Sequence, residues 1–350
     1  MAGWDRRFDV APAGGSHRQL SRRAVLGLLL QGGAVAGWAR AAFAVSPWPT
    51  DRLTRLGAEA ERLPVTALVI LQDDAIIETF GDSAAKVDVV SVRKSLLGAL
   101  IGIAVDAGQI RLDATLADLG IDDIPPSLTP QERQATVRDL LMARSGIYHP
   151  AAHETAPMKR DRPARGSHAP GTFWLYNNWD FNALGTIYRR ATGLDIFQAF
   201  ATKIAGPIGM QDFVPADGRY VREPISEHPA YPFRLTARDA ARFGRLYLQG
   251  GSWNGKQIVP AQWVRDSTST FSQTGRGRLG YGYLWWTLPS DRYGAGAAFA
   301  AGYGGQMIAI VPEKKLVVAV TNGWRKEGRK LRGSQVIGLL RKIVEAAPAP

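Results

Sequence analysis

Residues 87–110 read VDVVSVRKSLLGALIGIAVDAGQI. A short apolar, strand-like run ends at Ser91, and a long apolar helix follows, closing near Gly108. Ser91 and Lys94 stand at the head of that helix, three residues apart and so on one face. One reading needs no chemistry, because serine is a good N-cap and lysine is commonly solvated. The pattern alone is cheap: sixteen serines and ten lysines in 350 residues give about 0.5 Ser-x-x-Lys pairs by chance. Against a full capping box, Lys94 has donors only, where the motif requires an acceptor.

The other reading makes Ser91 a nucleophile and Lys94 its base. Free amides at the helix start favour an anion forming beside Ser91. The helix dipole and the apolar run after Lys94 both disfavour its charge, which moves the amine toward a proton-accepting state. Free serine is a poor nucleophile at neutral pH and needs such a base.

Outward from this stretch, VTALVILQDD and AIIETFGD read as two strands joined by an Asp-Asp turn, preceded by a helix in TDRLTRLGAEAERL. From about 111 to 245 the chain is helical pieces and loops, including ATVRDLLMAR, NWDFNALGTIYRRATG, DIFQAFATKIAGPIG and TARDAARFGRLYLQGG. From about 279 the period returns to two in YGYLWWTL, AAFAAGY, QMIAIVPE and KLVVAVTN, and GSQVIGLLRKIVEAA closes as a helix. The expected fold is α/β of the α+β type. An antiparallel sheet is drawn from both chain ends (45–110 and 246–350) and flanked by helices, with an inserted helical lobe at 111–245 and a cleft between the lobes.

Composition narrows the function. A chain of 350 residues, 45% hydrophobic, buries a large core. It has no cysteine, which excludes disulfides, thiolate metal sites and thiol nucleophiles. Residues 1–44 read as an export signal of twin-arginine type: Arg22-Arg23, a modest apolar run from Ala24 to Ala39, then Ala42-Phe43-Ala44 with cleavage expected after Ala44. The apolar run is too short and glycine-diluted for a spanning helix, so no stable membrane anchor is expected after cleavage, and the location is periplasmic or secreted. The partner this implies is the twin-arginine export machinery. The signal holds six arginines against Asp5 and Asp9, +4 of the formal +12. What remains is spread along the chain without aromatic interleaving, and no nucleic-acid partner is expected.

Ser-x-x-Lys at the head of an apolar helix is a signature of serine β-lactamases and penicillin-binding proteins. HAPGTFWLYNNWDFNALGTIYRRATG supplies Tyr176-Asn177-Asn178 where a Tyr-x-Asn is wanted. With TVRDLLMARSGI, GRLYLQGGSWNGKQIVPAQWV and GYGYLWW in the same order, the chain resembles the class C β-lactamase-related serine hydrolases over about 50–345. The resemblance implies a β-lactamase-like fold, acylation of Ser91, and proton transfer by Lys94 and Tyr176. It also implies that Asn178 holds the substrate amide or orders Lys94, and that no cofactor is needed.

The third signature, Lys-Thr/Ser-Gly or His-x-Gly, is missing. Gly302-Tyr303-Gly304-Gly305-Gln306 stands there instead, so Tyr303, Gly304, Gly305 and Gln306 are candidates to line the substrate site, with Tyr148 of SGIYHP. Loss of that cation argues against penicillins and acidic peptide ends, and the variant looks nearer the esterases and 6-aminohexanoate-dimer hydrolases. Of Trp285 and Trp286, at most one is expected at the site. The five histidines form no rival triad, and His149-Pro150 breaks any helical metal pair with His153, so no metal site is expected. The expectation is a serine hydrolase (esterase or amidase) acting on a small-molecule ester or amide. The alternatives are a β-lactamase or D,D-peptidase, or a catalytically silent binding protein on the same fold.

Overall fold

The computed structural model describes residues 48–323 and 328–349. The export signal expected at 1–44 lies outside the described residues, and no described helix is long and apolar enough to cross a membrane. Numbering the main sheet's strands in chain order, β1 is Ala67–Gln72, β2 Ala75–Gly81, β3 Ser272–Gln273, β4 Gly280–Tyr281, β5 Trp286–Thr287, β6 Ala298–Gly302, β7 Gln306–Val311 and β8 Leu316–Thr321. The spatial order is β2-β1-β8-β7-β6-β5-β4-β3, every neighbour antiparallel. Both chain ends therefore build one sheet. Its central seam pairs β1 with β8, Val69 opposite Ala319.

The hairpin β1–β2 turns on Asp73 and Asp74, both at positive φ (49° and 68°), the pair of left-handed residues that a two-residue hairpin requires. Strands β1, β7 and β8 are buried at every position, so both of their faces are covered. The five longer described helices are α1 (Thr50–Arg62), α2 (Arg93–Asp106), α3 (Asn178–Thr192), α4 (Ala237–Leu248) and α5 (Gly333–Ala346). Helix α4 lies on β8, β7 and β1, and it approaches closely at Gly244, where a Cβ would stand 2.5 Å from Val317 Cγ1. Helices α1 and α5 pack on each other. Helix α2, apolar on all sides, is buried along nearly its whole length, and Gly102 leaves room for the indole of Trp263.

The run YGYLWWTL, expected as one strand, is a hairpin: β4 and β5 pair through Tyr281 and Trp286, with Leu284 between them at φ 63°. Tertiary bonds hold this turn. The Leu284 amide donates to Leu141 O (3.2 Å) and its carbonyl accepts from Ser95 Oγ (2.7 Å), tying the bend to α2. Local β propensity yields to those contacts.

Candidate active site

The segment before α2 sets the site. The Asp88 carboxylate accepts from the Val90 amide (2.9 Å), and Val89 N–H donates to Phe233 O (3.0 Å). Between these anchors Val90 adopts φ 51°, a left-handed conformation that costs a β-branched residue on the order of 1 kcal/mol or more. The chain then runs through a 3₁₀ turn, Val90–Val92, into α2. Ser91 lies inside that turn. The N-cap position of α2 is Val92, with no capping side-chain bond, so the simple capping reading of Ser91 does not apply.

Ser91 Oγ instead accepts a hydrogen bond from Lys94 Nζ at 2.8 Å. Lys94 is only 2% exposed, and its amine lies over the rings of Tyr176 (5.0 Å) and Phe181 (4.9 Å). Burial, and then the charge of Arg93, hold its pKa well below that of an ordinary lysine. Arg93 is itself buried, bonded through Nη2 to Asn182 Oδ1 (3.1 Å) and stacked on Tyr231 (4.1 Å), with no ion pair among the described residues. A buried guanidinium without a counter-ion is costly. Here its field falls on Lys94.

Tyr176 closes the group from the strand-like entrance to α3. Its hydroxyl faces Ser91. Burial raises the phenol's pKa, opposed by the Ser91 hydroxyl and by the charges of Arg93 and Arg276. Asn177 caps α3, its Oδ1 accepting from Asp180 N (2.9 Å). Asp180 below accepts from Ser145 Oγ (2.5 Å), while its Oδ2 has no partner, and burial lifts the carboxyl to a pKa of about 8.

Ser91 and Tyr176 open into a cleft of about 1210 Å³, whereas Lys94 lies beneath its floor. Tyr148, Tyr303, Gly304, Gly305 and Gln306 all line this cleft, but in different ways. The Tyr148 hydroxyl contacts His168 Nδ1 (3.0 Å), and burial pushes its pKa up to about 12. Tyr303 is 53% exposed and takes a bond from Lys330 Nζ (3.2 Å). Gln306 spends its amide on the backbone of Asn322, donating to O (2.6 Å) and accepting from N (3.0 Å), which fastens the start of β7. Asn178 turns elsewhere: its Nδ2 donates to His153 O (2.7 Å), and it is not among the residues lining the cleft. Trp286 lines the cleft and stacks on Tyr176 (5.5 Å between centroids), while Trp285 is core.

Several contributors were not singled out from sequence. At Gly302, closing β6, a Cβ would stand 2.4 Å from Val89 O, so only glycine lets the strand lie against the Ser91 turn. Arg93, Phe181 and Arg276 are the others, and only Arg93, adjacent to Lys94, carried a local signal. Where donors cluster, at Asp123, Glu227 and His228, the Asp123 carboxylate already accepts from Trp179 Nε1 (2.6 Å), Ser226 Oγ (2.9 Å) and Glu227 N (2.7 Å), which makes it a structural hub.

Residues 51–340 match the family model described as Beta-lactamase. The 6-aminohexanoate-dimer hydrolase of Paenarthrobacter ureafaciens is 23% identical over 326 residues, covering 79% of each chain. Among solved structures, a putative 6-aminohexanoate-dimer hydrolase from Bacillus anthracis superposes with a TM-score of 0.63 at 20% identity, over 85% of this chain and 81% of that one. A penicillin-binding protein homologue from Caulobacter crescentus gives a TM-score of 0.63 at 16% identity, over 85% and 98%. With an antiparallel sheet flanked by helices and a family match spanning most of its length, the chain belongs to the Beta-lactamase family of hydrolases.

Proposed function

We propose that the protein is a serine hydrolase that cleaves an ester or amide through an acyl-enzyme on Ser91. The observation that carries this is the 2.8 Å bond between Ser91 Oγ and a buried Lys94 amine whose charged form is disfavoured. Lys94 takes the hydroxyl proton as Oγ bonds to the substrate carbonyl carbon. Tyr176, which faces Ser91 and Lys94, relays that proton to the departing alcohol or amine as the carbonyl–heteroatom bond breaks. Water then attacks the acyl carbon, gives a proton to the same pair, and releases the acid and free Ser91. Amides at the head of the Ser91 turn and along the β6 edge are suited to hold the oxyanion. The named activity of the Paenarthrobacter relative favours an amide of modest size.

Labelling by a fluorophosphonate, followed by intact mass and peptide mapping, tests this. A stoichiometric adduct on Ser91, formed much more slowly in Lys94→Ala and Tyr176→Phe, is expected. Folded protein that takes no label would leave a binding protein on this fold. Rapid nitrocefin turnover would move the reading to a β-lactamase.

A further inference from the structure

The sequence lacks the cation of the third signature, yet the cleft is not without one. The loop between β3 and β4 carries Arg276 between Gly275 and Gly277, both at positive φ (65° and 61°). Thr274 Oγ1 braces the loop, donating to Leu279 O (2.6 Å) and accepting from Arg276 N (3.2 Å). The guanidinium lies over Trp286 (5.4 Å) and Trp174 (5.8 Å), and Trp286 stacks in turn on Tyr176. Arg276 lines the cleft, is exposed, and forms no ion pair among the described residues.

Other cations line the cleft, among them Arg292, Lys330 and Arg332, and Arg276 is the one laid over Trp286, the ring that stacks on Tyr176. Arg278 is held by Asp291 through two bonds (2.8 and 2.9 Å). Arg162 is paired with Glu154, and Asp161 with Arg160, so the carboxylates lining the cleft are engaged elsewhere. An aromatic shelf orients a guanidinium without consuming its fork of donors, which then suits a planar carboxylate bidentately.

We propose that Arg276 is a specificity-determining residue, and that the substrate of the Ser91 site carries a carboxylate held by Arg276 on the Trp174–Trp286 shelf. This rests on Ser91 being the nucleophile, and it reverses the expectation, drawn from the missing third signature, that acidic substrates are disfavoured. The carboxylate belongs either to the acyl half or to the leaving group, and the two are separable.

Three chromogenic esters test it on the full-length protein: 4-nitrophenyl butyrate (neutral), mono-4-nitrophenyl glutarate (acyl-side carboxylate) and 4-butyryloxy-3-nitrobenzoate (leaving-group carboxylate). For wild type, one anionic ester is expected to exceed the neutral one in kcat/KM, and which one identifies the half that bears the charge. In Arg276→Gln the anionic-to-neutral ratio is expected to fall roughly tenfold or more, with Arg276→Lys recovering only part. Taking the ratio removes any general effect on Tyr176 or on folding. Ratios equal in wild type and Arg276→Gln, while Ser91 still takes the fluorophosphonate and the neutral ester turns over, overturn the assignment of Arg276 alone. Absence of both labelling and turnover overturns the nucleophile reading, and this proposal with it.

Discussion

At the floor of the cleft Lys94 is 2% exposed and wedged between two rings, whereas at the rim Tyr303 is 53% exposed and Arg276 rests on indole faces in contact with solvent. The floor is fixed by packing: a strained Val90, a glycine against the Val89 carbonyl, and a lysine with one hydrogen-bond partner. The rim is fixed by loops whose charges meet water. In the first region a charge is unwelcome and reactivity is generated. In the second a charge is tolerated and can be offered to a ligand. In the proposed function the floor sets rate, and the rim sets choice of substrate.

The largest effect that would break this division is on the base. Lys94→Met replaces a buried amine with an apolar side chain of similar length, so hydrolysis is expected to fall on the order of 10³-fold while the thermal midpoint holds or rises. A midpoint that drops sharply would mean that Lys94 is structural. Gly302→Ala comes next. Its Cβ would stand 2.4 Å from Val89 O, displacing β6 from the Ser91 turn, and kcat is expected to fall about 10²-fold with smaller change in KM.

Arg93→Leu sharpens the electrostatic half of the comparison. Lys94 is faced by Ser91, Arg93 and Tyr176, and Arg93 is the fixed cation among them. In the proposed mechanism activity requires the neutral amine, so it rises with pH through the pKa of Lys94. Removing Arg93 raises that pKa, and the acid limb of kcat/KM is expected to move to higher pH. A limb that stays in place would assign Arg93 to packing alone.

The smallest effect concerns stability rather than rate. Asp180 has a folded pKa of about 8 against an ordinary 3.8, so the folded state keeps a proton that the unfolded chain releases. Stability from this group is complete below about pH 4 and is lost progressively as pH rises toward about 8. Thermal midpoints measured between pH 5 and 8 should fall with pH in wild type and flatten in Asp180→Asn.

What could be read from sequence follows the range of the interactions. Ser91 and Lys94 are three residues apart, so their meeting is a local property of a helical turn, and the sheet elements are set by local periodicity. Tyr176 came from motif order, since nothing local points its ring at Lys94. The Trp286 shelf, the Gly302–Val89 approach and the hairpin at Leu284 depend on partners more than a hundred residues away, and no period encodes them. Asn178 shows the same limit from the other side: its position fits the motif, but the nearest acceptor in space is the His153 carbonyl.

The seam that pairs Val69 with Ala319 also carries a consequence for assembly in time. Strand β1 leaves synthesis early and finds its inner neighbour only when β8 emerges near the end. Such long-range closure is slow, and it leaves one edge of an apolar strand waiting unpaired. The turn that bears Ser91 is pressed into shape by β6, also from the late part of the chain. A nascent chain halted before Leu316 would already contain the serine, the lysine, the tyrosine and seven of the eight strands, but not β8, which joins the β2–β1 pair to the β7–β3 run. The two parts of the sheet are thus joined only when the last strand arrives.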